Sequence, residues 1–173
     1  MEAIITSFIC CIRQTLDGAR VYACTSSDFF ILDVDRHTEE ISVSSVTKPD
    51  GNLFFALTRN DKYLMAVRND LLIGYDLSEG LDFSKFKVFY DFGGNNEGLF
   101  MIQQGIDGSL YATNGGGGVV YVIDGVEEGE VLVNTIGSDC SMNFGGYYFP
   151  QIMRRQMSHI NPCLLPLPKI IRE

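Results

Sequence analysis

The chain has no tryptophan and only two histidines among its 173 residues. Without tryptophan, no repeat can be built on a Trp-Asp dipeptide. The histidines are far apart in sequence, His37 in a polar segment and His159 near the C-terminus. A zinc site or a Ser-His-Asp site needs several partners in defined geometry, and neither an HExxH nor a GxSxG motif is present. The sequence therefore offers no candidate catalytic residue, and it favours a non-enzymatic function.

Basic residues are also scarce, with 13 Lys and Arg against 22 Asp and Glu, for a net charge of −9. Phosphate contacts need clustered Lys and Arg, so we expect no nucleic-acid partner. The charge is uneven, because residues 1–150 carry a net −12 and residues 151–173 a net +3. Such a basic tail can dock on the acidic body, reach for an acidic partner, or stay solvated.

Long apolar runs are missing too, and none approaches the roughly 18 residues of a membrane helix. The apolar N-terminal segment lacks a basic region before it, and Glu2 has the wrong sign for a signal peptide. We expect a buried strand there and no membrane partner. The cysteines are five in number, with no CxxC pair: Cys10, Cys11, Cys24, Cys140 and Cys163. An odd count without framework spacing indicates reduced thiols and a cytoplasmic location.

A pattern present three times organises the chain. Each copy has a turn, a strand of small and apolar residues, a second turn, and an apolar strand that closes on aspartate. The closing aspartates are Asp33, Asp76 and Asp124, spaced by 43 and 48 residues. The aspartates of the first turn are Asp17, Asp61 and Asp107, spaced by 44 and 46 residues. Both markers indicate one repeat period.

Two further apolar segments complete each copy. One precedes the hairpin, at 4–12, 53–57 and 99–102, and one follows it, at 41–46, 87–92 and 131–136. Four strands in 43–48 residues are typical of β-propeller blades. We predict an all-β fold of tandem four-stranded antiparallel blades over 1–138, with blades at about 1–47, 48–93 and 94–138. Residues 139–173 are predicted to form a C-terminal tail of short helix or coil. The closing strand of each copy, apolar on both sides, should be covered on both faces.

The third copy resembles a known group of blades. Gly105-Ile-Asp-Gly-Ser-Leu-Tyr-Ala-Thr-Asn followed by Val120-Tyr-Val-Ile-Asp is similar to the repeats of YVTN, NHL and gluconolactonase-like propellers. The resemblance covers roughly 1–138 and implies architecture, since propellers host many functions. Gluconolactonase-like propellers hold a divalent metal on their axis, which draws attention to Glu97 and Asn114. Three blades leave that axial site incomplete, so we expect neither metal nor cofactor.

Three blades form an incomplete ring, because closed propellers have about 4–8. The chain can be a remnant of a larger propeller, can oligomerise into a ring, or can stand as an open arc with capped edges. We favour the remnant, capped by residues 141–160. That segment is rich in large apolar side chains: Met142, Phe144, Tyr147, Tyr148, Phe149, Ile152, Met153 and Met157.

Two glycine-rich segments, 93–98 and 115–118, lack the following Lys-Ser/Thr of a phosphate-binding loop. The first functional hypothesis is therefore a non-enzymatic protein-binding or scaffold module, with a protein partner or self-association. The alternative is a remnant of a metal-dependent propeller hydrolase or lactonase.

The cysteine count gives a testable prediction. All five thiols should be free in the native protein, because the number is odd and no framework spacing exists. Titration of thiols after denaturation without reductant should count all five. A lower count would show that a disulfide is present and that the inference from spacing is wrong.

Overall fold

The computed structural model describes residues 9–25, 28–47, 54–93, 99–114 and 120–136. Within these ranges the chain forms twelve strands in three four-stranded antiparallel sheets, and no helix. The predicted fold class, tandem antiparallel blades without a closed ring, is confirmed. No helix in this part of the chain is long and apolar enough to cross a membrane. The tail 139–173 and the start of the predicted first strand lie outside the described residues.

The strands follow the chain order within each sheet. Blade 1 contains β1 (Ile9–Gln14), β2 (Arg20–Thr25), β3 (Phe29–Val34) and β4 (Ile41–Thr47). Blade 2 contains β5 (Phe55–Leu57), β6 (Tyr63–Arg68), β7 (Leu71–Asp76) and β8 (Lys87–Asp91). Blade 3 contains β9 (Leu99–Gln104), β10 (Leu110–Asn114), β11 (Val120–Asp124) and β12 (Leu132–Ile136). Each neighbouring pair is antiparallel, so every blade is a simple meander. The predicted boundaries between blades stay a prediction.

The first turn of each blade is built on a residue with positive φ. Gly18, Asp61 and Gly108 have φ of 69°, 57° and 90°. Their N–H groups donate to the carbonyl oxygens three residues earlier, at 2.9, 3.0 and 3.2 Å. Aspartate reaches this left-handed conformation more readily than most residues. The turns therefore have the same shape with different residues.

This turn corrects one detail of the sequence alignment. Asp61 occupies the position of Gly18 and Gly108, whereas Asn60 occupies the position of Asp17 and Asp107. The predicted equivalence of the three aspartates is therefore wrong by one residue in blade 2. In the sequence, the three aspartates match because they are the same residue type. In the structure, the equivalent residues are those that share the same backbone conformation.

Blade 2 lies between two apolar cores, because successive side chains on a strand point to opposite faces. The core between blades 1 and 2 consists of Cys11, Tyr22, Cys24, Phe29, Phe55, Leu57, Leu64, Ala66, Ile73 and Tyr75. The core between blades 2 and 3 consists of Ala56, Met65, Val67, Leu72, Phe92, Ile102, Leu110, Ala112, Ile123 and Val126. Burying one large side chain of this kind contributes about 1.5–3 kcal/mol. These two cores join the three sheets.

Coverage of the closing strands differs between blades. In β7, Leu72, Ile73 and Tyr75 are buried, as expected for a strand covered on both faces. In β3, only Phe29 is buried, and the rest of the strand is half-buried. The prediction of two covered faces is therefore right for blade 2, whereas in blade 1 the second face is only partly covered. The reason is position, since blade 2 has a described blade on each side and blade 1 has one.

The β11–β12 turn gives a matched pair of glycine variants. Gly125 and Gly129 both have positive φ, 71° and 84°. A Cβ at Gly125 would overlap the carbonyl oxygen of Glu130, whereas a Cβ at Gly129 would meet nothing within 4 Å. Gly129→Ala should cost about 1–2 kcal/mol of stability from the left-handed backbone alone. Gly125→Ala should cost roughly 1–3 kcal/mol beyond that, because the turn must move. Urea unfolding of both variants measures the difference, and equal midpoints would contradict it.

Candidate functional site

One sheet face of blade 1 has no described blade opposite it. Cys11, Tyr22 and Phe29 point towards blade 2, so the residues that alternate with them point away. Cross-strand pairing places them together, as Ala23 lies opposite Ile12 and Phe30, and Leu32 lies opposite Val21 and Val43. We call this surface the outer face, and it consists of Ile12, Val21, Ala23, Phe30, Leu32, Val34, Ile41 and Val43.

The outer face is apolar and partly open to solvent. Ile12, Ile41 and Val43 are 49%, 64% and 46% exposed. Phe30 and Leu32 are half-buried between them. None of the residues that form this face carries a charge. Contiguous apolar surface of this kind marks interaction sites in soluble proteins.

The equivalent residues of blades 2 and 3 indicate what kind of contact suits the outer face. At the equivalent positions, blade 2 has Phe55, Leu64, Ala66, Ile73 and Tyr75, which pack against blade 1. Blade 3 has Ile102, Leu110, Ala112, Tyr121 and Ile123 there, which pack against blade 2. The outer face thus has the residues of a blade-to-blade contact. Sequence reasoning missed it, although the alternation along β2 and β3 was visible.

Polar contacts at the turn end hold neighbouring blades together. The Leu16 N–H of blade 1 donates to Asp61 Oδ2 of blade 2 at 2.5 Å. The Asn60 N–H of blade 2 donates to Glu127 Oε1 of blade 3 at 2.8 Å, and its side-chain amide donates to Oε2. The first turns of blades 1 and 2 therefore each bind a carboxylate of the next blade.

These carboxylates have pKa values shifted in opposite directions. Burial raises the pKa of Asp61, and the negative charges of Asp17 and Glu127 raise it further, against the Leu16 N–H. Burial also acts to raise the pKa of Glu127, but hydrogen bonds from Thr58, Asn60 and Lys62 outweigh it, and the net shift is downward. At neutral pH the ionised form of Asp61 therefore destabilises the fold, whereas the ionised form of Glu127 is stabilised by it.

A polar cleft of about 270 Å³ lies between blades 2 and 3 at this end. Its lining includes Arg59, Asp107, Asp124 and Glu128. The Tyr111 hydroxyl donates to Asp107 Oδ2 at 2.7 Å. Burial, followed by this carboxylate, raises the pKa of Tyr111. No histidine or cysteine is among the residues that line the cleft, so it contains no thiol or imidazole nucleophile.

The residues considered for metal or phosphate binding do not come together in the described ranges. There, no three His, Cys, Asp or Glu side chains are placed to share a metal ion. His37 lies exposed in the β3–β4 turn, and its N–H donates to Asp35 Oδ1 at 2.8 Å. His159, Glu97, the side chain of Asn114, and the glycine segments 94–98 and 115–118 lie outside the described residues.

Two cysteines face each other across β1 and β2. Cys11 and Cys24 are opposite in register and buried, and neither is joined in a disulfide. The Cys11 thiol donates to the Phe55 carbonyl of blade 2 at 3.3 Å. The prediction that all five thiols are reduced stays a prediction. Cys140, Cys163 and the side chain of Cys10 lie outside the described residues.

The innermost strands also meet through an arginine. Arg13 of β1 donates to the carbonyl oxygen of Ile102 in β9 at 3.5 Å. Its Nε is the buried side-chain polar atom that has no hydrogen-bond partner among the described residues. Arg13 thus links blade 1 to blade 3 past the inner edge of blade 2.

Comparison with known proteins finds similar structures only. No family model matches the chain, and no curated protein matches it. Hydrazine synthase from Kuenenia stuttgartiensis is 18% identical, with a TM-score of 0.43, over 74% of this chain and 35% of that one. Virginiamycin B lyase from Staphylococcus aureus is 14% identical, with a TM-score of 0.49, over 80% and 45%. A protein from Lactobacillus plantarum is 17% identical, with a TM-score of 0.49, over 74% and 40%.

The chain spans less than half the length of each of these proteins. At such TM-scores the likenesses carry no argument about its activity. The architecture rests on the chain's own three four-stranded antiparallel sheets, which fit a three-blade partial propeller.

Replacing Asp61 or Asp17, which lie in neighbouring turns, should change the thermal midpoint at neutral pH in opposite directions. The ionised form of Asp61 is disfavoured in the fold. Asp61→Asn should therefore raise the thermal midpoint at neutral pH, and the gain should vanish as the pH falls through the raised pKa. Asparagine also tolerates the positive φ of this turn.

Asp17→Asn is the matched control for this prediction. Hydrogen bonds from the Thr15 hydroxyl and the Ala19 N–H lower the pKa of Asp17. Its replacement should lower the midpoint at neutral pH, and this loss should vanish as the pH falls through the lowered pKa. Thermal unfolding of both variants at several pH values measures the two trends. If both replacements changed the midpoint in the same direction, the opposite pKa shifts of Asp61 and Asp17 would be contradicted.

Proposed function

We propose that this chain is a non-enzymatic protein-binding or scaffold module that binds through the outer face of blade 1. The observation that carries the proposal is the equivalence of this face to the two blade-to-blade contacts within the chain. The exposed apolar side chains of this face, those of Ile12, Ile41 and Val43, cost free energy while they are in contact with water. Binding a partner would recover part of that free energy.

The composition of the outer face supports binding. The centres of protein interfaces are depleted in charge and enriched in aromatic residues. The outer face has Phe30 near its middle and aliphatic residues around it, without a charged member. Polar residues border it, such as Gln14 on β1 and Glu40 before β4. This arrangement of apolar centre and polar rim is typical of interfaces.

The polar groups at the turn end support a structural role for the carboxylates there. Asp61 and Glu127 accept hydrogen bonds from neighbouring blades, and Asp107 accepts one from Tyr111. A metal-dependent hydrolase would need such carboxylates free to converge on an ion. No observation within the described ranges favours that alternative, which a rise in thermal midpoint with Ca²⁺, Mg²⁺ or Zn²⁺ would support. The expected cytoplasmic location stays a prediction.

Site-specific photo-cross-linking tests the proposal. A photo-reactive amino acid is placed at Val43 on the outer face, or at Val88 on β8 as the control. Both valines lie on the fourth strand of a blade and have similar exposure, 46% and 48%. In cell extract, position 43 should give a defined protein adduct, and Ile12→Asp should abolish it. Position 88 should give none.

Equal adducts at positions 43 and 88, or none at position 43, would count against the proposal. In the first case the contact would not be specific to the outer face. In the second case the face would not bind a protein in the extract.

A further inference from the structure

We propose that the partner of the outer face is the outer face of a second copy of this chain, so that the protein forms an isologous dimer. The inference rests on the proposed function, since it takes the outer face to be the binding surface. It names the partner, which that proposal leaves open.

The outer face continues the kind of contact that already joins the blades of the chain. Both described interfaces pack one apolar sheet face against another. Between blades 1 and 2 the contact includes Phe29 and Phe55, whose ring centroids are 4.9 Å apart. Phe30 and Leu32 occupy the equivalents of Ile73 and Tyr75, which pack in that same core. The outer face is therefore suited to another sheet face rather than to a small molecule or an extended peptide.

The sheet faces of the three blades differ in how open they are to a second copy. Blade 2 has both faces occupied by the two cores. The face of blade 3 that points away from blade 2 carries Met101, Tyr111, Thr113 and Val120, which are only 4–7% exposed. On β12 of the same face Leu132 is 63% exposed, so that face is closed over β9 to β11 and open at its outer edge. A head-to-tail contact of this face with blade 1 of another copy would therefore find little open surface over its inner strands. The outer face of blade 1 is exposed on both of its edge strands, at Ile12 on β1 and at Ile41 and Val43 on β4, and is the more open of these two faces.

The outer face carries no charge that would oppose contact with its own copy. In an isologous contact the same surface meets itself about a twofold axis, so any acidic residue within it would face like charge. The chain carries 22 acidic residues and a net charge of −9, yet none of the acidic residues is part of the outer face. A partner attracted by charge would find no charged group there. Two outer faces can therefore meet without repulsion between like charges. The rest of the surface is acidic, and there two copies would repel each other.

The rim of the outer face predicts a salt effect. Glu39 and Glu40 are exposed directly before Ile41, and Asp35 accepts hydrogen bonds within the same turn. These acids contribute to the net charge of −9 on each copy, and salt screens the repulsion between two such copies. Raising the salt concentration should therefore strengthen the dimer. A contact held by opposite charges would weaken under the same change.

Sedimentation velocity and native mass spectrometry of the full chain test the dimer. Over about a hundredfold range of concentration, the wild-type chain should pass from monomer to dimer by mass action. Val43→Asp should shift this transition to at least about tenfold higher concentration, because it places a desolvated charge opposite its own copy. Val88→Asp, at a matched exposure, should leave the transition unchanged.

A second variant keeps the test decisive if Val43→Asp disturbs folding. Ile12→Asp changes the outer face on β1, at a position 49% exposed, and should shift the transition in the same direction. Circular dichroism and the thermal midpoint show whether each variant is folded. A wild-type chain that stays monomeric throughout, or a dimer unaffected by both folded variants, overturns the inference.

The outcomes separate this inference from the proposed function. If the chain is monomeric and position 43 cross-links to a different protein, the protein-binding function stands and the dimer is wrong. If position 43 cross-links only to a second copy of the chain and Val43→Asp shifts the transition, the dimer stands without a different protein as partner. If neither occurs, both proposals fail.

Discussion

The alternation of side chains along the strands of blade 2 is the constraint on which the rest of the structure depends. On β6, Leu64 enters the core with blade 1, and the next residue, Met65, enters the core with blade 3. The same alternation separates Leu72 from Ile73 on β7. A shift of one residue in register would exchange every such side chain between the two cores. The central blade therefore fixes the position of both neighbours.

Close packing against blade 3 depends on one small residue in this blade. A Cβ at Gly74 would lie 2.7 Å from Met65 Sδ and 2.7 Å from Phe89 Cε2. Without that Cβ, Met65 and the Phe89 ring occupy the space above the strand, and Tyr63 packs edge-on against Phe89 at 5.1 Å. Interiors packed at this density have little room for an added methyl group. Gly74 is thus part of the contact between blades 2 and 3.

The acidic character of the chain has a structural use at the turn end. Asp61 and Glu127 receive N–H groups of Leu16 and Asn60 from the preceding blade, so carboxylates join turns whose backbone donors would otherwise depend on water. The apolar cores supply most of the stabilisation, and these bonds set how one blade is placed against the next. The outer face lies at the end of this series, because blade 1 has the same alternation as blade 2 but only one neighbour among the described blades.

The sequence by itself determined the number of strands, their order and the turns between them. These depend on local properties, such as runs of apolar residues like Val120–Asp124 and turn residues like Asp107-Gly108, which act through backbone conformation within a few residues. The tertiary structure decided what depends on neighbours distant in sequence. It placed Asp61, not Asn60, at the positive φ position, and it buried Ile73 while leaving its equivalent Phe30 half-buried. Residues with the same local pattern differ in burial because burial is set by the sheet that packs against them, and no local pattern records which sheet that is.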